Sequence, residues 1–130
     1  MSASSTQLQA ALIRDYYKNF SKYAKGRYPE SKVAWVTAFT PVEILEALGI
    51  SYLYPESYAA VIAASGKEQT MLAESDKNSL SLDCCSYSCC IEGSIVLQEA
   101  PRGMPPKPDV LIATNNQCNT LPSWWNTMFH

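Results

Sequence analysis

The most constraining feature is an alternation in the middle of the chain. KVAWVTAF, residues 32–39, is a short apolar run rich in β-formers, and it predicts a buried strand. TPVEILEALG follows at once, with Thr40 suited to N-cap, Pro41 to N1 and Glu43 to N3, a capping-box pattern that predicts a helix stopped by Gly49. ISYLY, residues 50–54, predicts a second strand broken by Pro55, and ESYAAVIAASG predicts a second helix ending at Gly66. Two strands separated by a helix, each followed by another, require a parallel sheet with crossover helices.

The flanks extend this pattern. Residues 67–82 are polar and mixed, read as a short helix and a loop, and Ser86 to about Gln98 predicts a helix despite Gly93 and the β-branched residues. The four prolines of PRGMPPKP mark a connector. DVLIATN, residues 109–115, predicts a third strand, and a helix follows from near Thr120 with Pro122 in its first turn. Ahead of all this, residues 6–26 predict a helix with Leu8, Leu12, Tyr16 and Phe20 in one apolar stripe and Arg14, Lys18, Lys22 and Lys25 in a basic one. The expected fold is therefore α/β, a Rossmann-like parallel sheet flanked by helices and preceded by an amphipathic helix. The expected division is an N-terminal helical segment, 1–30, and an α/β domain, 31–130.

Composition narrows the function. The net charge of −2 gives no global nucleic-acid signature. No apolar run approaches membrane-spanning length, and the start MSASSTQLQ lacks the pattern of a signal peptide, so a cytoplasmic chain with neither nucleic acid nor membrane as partner is expected. His130 is the only histidine, which disfavours Ser-His-Asp and Cys-His arrangements, and no P-loop or GxGxxG occurs.

The cysteines carry the chemistry. Cys84, Cys85, Cys89 and Cys90 crowd into DCCSYSCC, and Cys118 stands apart in ATNNQCNTLPSWW. Reduced thiols are expected in a cytoplasmic chain, and neighbouring Cα atoms about 3.8 Å apart oppose a local disulfide. The spacing lacks a CxxC…CxxC zinc pattern. One cysteine from the cluster with Cys118 is the economical ligand set, the others being small buried hydrophobes. Ligands of parallel sheets lie beyond the carboxyl ends of the strands. That rule selects Thr37 to Thr40, Glu56, and Asn115 to Cys118. Glu56 reads as a possible acid/base but more readily as a capping residue at the start of its helix, and Trp124 and Trp125 as packing or interface residues.

Several segments together resemble one family. FTPVEILEALGI, YPESYAA, DCCSY and PDVLIATNNQCNTLPSWW, in this order, are similar to the N-terminal portion of 2-hydroxyacyl-CoA dehydratase and benzoyl-CoA reductase subunits, over residues 32–128. The resemblance implies an iron–sulfur subunit with a 4Fe-4S cluster on three cysteines and one iron open to substrate. Its Cys-Ser-Tyr motif falls on Cys85, and its Asn-x-Cys-Asn-Thr loop on Cys118, as metal ligands. It also implies single-electron reduction of an acyl-CoA thioester, a homologous second subunit, and an ATP-dependent iron–sulfur activator protein. Both the resemblance and the strand-edge rule place Thr40 and Glu56 on the substrate side. The third cluster cysteine of the family lies in a C-terminal region without counterpart up to His130. A fragment, a truncated reading frame or a half that works with a partner all fit that. Against the dehydratase or reductase reading stands a non-catalytic α/β module with zinc-binding or thiol-redox cysteines. Loss of a C-terminal domain is expected to leave Tyr87, Trp124 and Trp125 on an exposed apolar surface.

Overall fold

A computed structural model describes residues 4–24, 32–78, 85–101 and 103–129. Three parallel strands form one sheet: β1 (Val33–Val36), β2 (Ser51–Leu53) and β3 (Val110–Ile112), in the order β2-β1-β3. Among the described residues six helices accompany them: α1 (Ser5–Ala24), α2 (Val42–Ala47), α3 (Pro55–Ala64), α4 (Glu68–Lys77), α5 (Ser86–Leu97) and α6 (Thr120–Phe129). The expected α/β class, with a parallel sheet between helices, is the one observed.

The central strand explains the layers. Val33, Ala34, Trp35 and Val36 are all buried, as a strand covered on both faces must be. Val33 and Trp35 join the larger core with Tyr58 and Ile62 of α3, Met71 of α4, Ile91 of α5 and Leu121, Trp124 and Trp125 of α6. Ala34 and Val36 point the other way, onto Leu45 of α2. Register follows, with Trp35 opposite Leu53 on one side and Leu111 on the other.

The amino ends of the strands are clamped by charge. Asp109 accepts hydrogen bonds from the Val33 amide (2.8 Å) and from Lys32 Nζ (2.9 Å). The Val33 amide first, and Lys32 with it, hold the Asp109 carboxyl below the ordinary aspartate range. The connector is tied down as well, Trp35 Nε1 donating to the Pro106 carbonyl (3.1 Å) and Tyr58 to that of Gly103 (2.7 Å).

Several local expectations change. Thr40 and Glu43 form no capping box: α2 starts at Val42, Pro41 occupies the N-cap, and no side chain caps it. Thr40 is instead buried, its hydroxyl directed at Thr37. The capping box lies at α1, where the Gln7 amide donates to Ser4 Oγ (3.3 Å) and the Ser4 amide to Gln7 Oε1 (2.9 Å). The apolar stripe of α1 is open over its described part, Leu12 being 70% exposed. Trp124 and Trp125 are 5% and 6% exposed and meet edge to face at 4.7 Å, so they pack the core and do not form an exposed surface. Tyr87 is exposed, as expected.

Gly93 is an asset to α5 rather than a weakness. A Cβ there would lie 1.9 Å from the Met71 carbonyl oxygen, so only glycine lets α5 cross α4 this closely. Gly49 and Gly66 take φ of +68° and +70° just after α2 and α3, the left-handed stops foreseen for them.

Candidate functional site

The carboxyl ends of β1 and β3 are joined by three threonines. The Thr37 amide donates to the Ile112 carbonyl (3.2 Å), and the Thr114 amide to Thr37 Oγ1 (2.9 Å). The Thr37 and Thr114 hydroxyls stand 3.0 Å apart, and Thr114 Oγ1 donates to the Ala38 carbonyl (3.0 Å). Thr40 closes the turn, its amide bonding the Thr37 carbonyl (3.2 Å) and its hydroxyl 3.5 Å from that of Thr37. The net draws the loop after β1 against the loop after β3, which runs four residues on to Cys118. Sequence reasoning placed Thr37 at this edge but missed Thr114. Its partners are 76 and 77 positions away, beyond the reach of any local pattern.

Cys118 is exposed two residues before α6 begins. Cys85 is exposed at the N-cap of α5, where its carbonyl accepts from the Cys89 amide (3.1 Å) and from Ser88 Oγ (2.6 Å). Topology fixes the end at which it stands. Helix α3 leaves the carboxyl end of β2 and runs to the amino edge, where the turn into α4 begins. Lys67 of that turn pairs with Glu99, just past the end of α5. The start of α5, with Cys85, therefore lies toward the opposite, carboxyl edge.

The neighbouring cysteines differ in kind. Cys89 and Cys90 are buried in α5. Burial pushes the Cys90 thiol up, and the nearby Cys89, Glu68 and Cys85 add to the shift, so Cys90 keeps its proton. Both are the small buried hydrophobes expected of them. Cys84 lies outside the described residues.

Thr40 is buried at this edge, and Glu56 is half-buried in the first turn of α3. Glu56 provides no N-cap: Tyr54 holds that position, with Pro55 at N1. A position near the helix start favours a carboxylate by the dipole. Burial first, then Glu43 and Glu46, push the nearby Tyr54 phenol up, so it is neutral at physiological pH.

The donor chemistry suits an iron–sulfur group. Cys85 and Cys118 are exposed thiols, and thiolates are the usual cluster ligands. Two donors do not complete a set: among the described residues no three His, Cys, Asp or Glu side chains group to hold a metal ion.

The comparison with known families decides the ancestry. Residues 37–130 match the family model described as 2-hydroxyglutaryl-CoA dehydratase, D-component. The chain belongs to this dehydratase family. The matched stretch holds β1's threonine turn, Glu56, Cys85 and Cys118. Among curated relatives, the lactoyl-CoA dehydratase subunit alpha of Anaerotignum propionicum is 34% identical over 74% of this chain and 26% of its own. The (R)-phenyllactyl-CoA dehydratase alpha subunit of Clostridium sporogenes is 32% identical over 72% of this chain and 23% of its own. The (R)-2-hydroxyisocaproyl-CoA dehydratase alpha subunit of Clostridioides difficile is 28% identical over 90% of this chain and 28% of its own. The chain thus spans about a quarter of the length of these dehydratase subunits. No described helix is long and apolar enough to cross a membrane.

Proposed function

We propose that this chain is the N-terminal part of an iron–sulfur subunit that dehydrates a 2-hydroxyacyl-CoA by low-potential single-electron transfer to the thioester. The observation that carries the reading is the contrast among the thiols. Among the described residues of the family-matched stretch, Cys85 and Cys118 are exposed at or just before helix starts, whereas Cys89 and Cys90 are buried in a helix.

Cys85 and Cys118 are the residues that would hold a 4Fe-4S cluster, the remaining ligation coming from outside the described residues. When bound, the cluster supplies a low-potential electron and an open iron for the thioester oxygen, chemistry that no side chain provides. The chain's own residues position and protect. The Thr37–Thr114 pair fixes the loop that carries Cys118 against the β1 turn. Thr40 shapes the substrate side of that turn, and Glu56 presents a carboxylate there for proton transfer or for orienting the acyl group. The partners of this reading are an acyl-CoA substrate, a homologous second subunit and an ATP-dependent iron–sulfur activator, working in an anaerobic cytoplasm. The names of the curated relatives favour dehydration over aromatic-ring reduction.

The test is turnover. The subunit is assembled anaerobically with its second subunit and activator and given 2-hydroxyacyl-CoA thioesters. Formation of the 2-enoyl thioester is expected from the intact complex, and not after Cys118→Ala. Zinc in place of iron, or dehydration that survives Cys118→Ala, would contradict the proposal.

A further inference from the structure

Phe39 combines two unfavourable features. Its φ is +64°, in the left-handed region, which is strained for a residue bearing a Cβ. Its ring is 75% exposed, so it contributes little to the core. Of the other positive-φ positions among the described residues, Gly49, Gly66 and Gly103 are glycines, and Gln98 is the C-cap of α5, where that conformation is ordinary. Phe39 ends no helix. It lies in the turn after β1, and both its sides are pinned: the Ala38 carbonyl by Thr114 Oγ1, and Thr40 by Thr37. A glycine would remove the strain and the exposed apolar surface together. The turn instead displays an aromatic ring at the carboxyl edge of the sheet, beside the loop that leads to Cys118.

We infer that Phe39 is a specificity-determining residue whose ring forms an apolar wall for the acyl group of the bound CoA thioester. This rests on the reading under Proposed function and adds the substrate class: acyl chains with apolar bulk. An aromatic face takes up aliphatic or aryl surface without hydrogen bonds, so it rewards bulk rather than polarity. The threonine contacts hold the backbone that carries the ring before substrate arrives, so less ordering of the turn is left to the binding step.

The experiment is equilibrium dialysis of the full-length subunit with its second subunit, using isocaproyl-CoA and propionyl-CoA, which lack the hydroxyl and do not turn over. Phe39→Gly deletes the ring and relieves the backbone, so its melting temperature is expected to equal or exceed that of the wild type. Its Kd for isocaproyl-CoA is expected to rise about tenfold, and that for propionyl-CoA less than about twofold, a typical scale for lost apolar pocket contacts. Phe39→Tyr, which keeps the ring, is expected to hold both values within about twofold. Equal weakening of both thioesters, no weakening, or dissociation of the two subunits would each overturn the inference, the last by assigning the ring to a protein interface. A wild-type complex that binds neither thioester would instead remove the proposed function beneath it.

Discussion

Thr37 shows how much can depend on one hydroxyl. It accepts from the Thr114 amide and faces the Thr114 and Thr40 hydroxyls, inside a fully buried position. Thr37→Val keeps the shape and removes the acceptor, leaving the Thr114 amide without its partner. A loss of about 1–3 kcal/mol is expected by urea denaturation. An unchanged midpoint would mean that water replaces the hydroxyl. Glu92 makes a second residue-scale case. It is 9% exposed, its Oε1 has no hydrogen-bond partner, and burial raises its pKa above the ordinary 4.5. The unfolded chain therefore ionises first as pH rises, and stability falls between 4.5 and the raised folded value, then levels off. Glu92→Gln removes that dependence. Its melting temperature is expected to exceed that of the wild type at pH 7, with the gap closing near pH 4; a gap that widens on acidification would contradict burial as the cause. At this scale the sequence was uneven. It singled out Cys85 and Cys118 by their motifs and marked the inner cysteines as filler. It could not show Thr114's role or the strain at Phe39, because both arise from contacts across the sheet edge.

The helices and strands were legible wherever periodicity and punctuation agreed. Pro55 opens α3, Gly49 and Gly66 follow the ends of α2 and α3, and the apolar run at 33–36 is a strand buried on both faces. Strand ends were read too long. Residues 37–39 look like a continuation of β1, but the Thr37 side chain bonds the neighbouring loop and turns the chain. The capping box of TPVE failed for the same reason, since Thr40's hydroxyl faces Thr37 instead of the helix. Gly93 is the reverse case: helix propensity counts it as a defect, whereas the crossing of α4 and α5 demands it. Gly93→Ala would gain propensity on the order of 1 kcal/mol in an isolated helix. Here its methyl meets the Met71 backbone, and a net loss of roughly 2–3 kcal/mol or more is expected in thermal melts. A stabilised variant would show that the two helices part easily.

At the scale of the whole molecule, the parallel sheet positions the chemistry. Its amino edge is closed by the Lys32–Asp109–Val33 clamp and the tied connector, and its carboxyl edge gathers the threonine turn, Glu56 and Cys118. The α/β architecture and the family were both readable, because alternating elements and several ordered segments are distributed over most of the chain. The division at residues 30 and 31 falls outside the described residues, and the chain spans about a quarter of its relatives' length. On the proposed reading, two thiols, Cys85 and Cys118, bind iron. Its most direct test is anaerobic iron and acid-labile sulfide analysis of the subunit as purified with its partners. Iron with matching sulfide is expected in the wild type and in Cys89→Ala, and its loss in Cys85→Ala and in Cys118→Ala. Iron that persists without Cys85, or is lost on Cys89→Ala alone, would rule out Cys85 and Cys118 as the ligand pair.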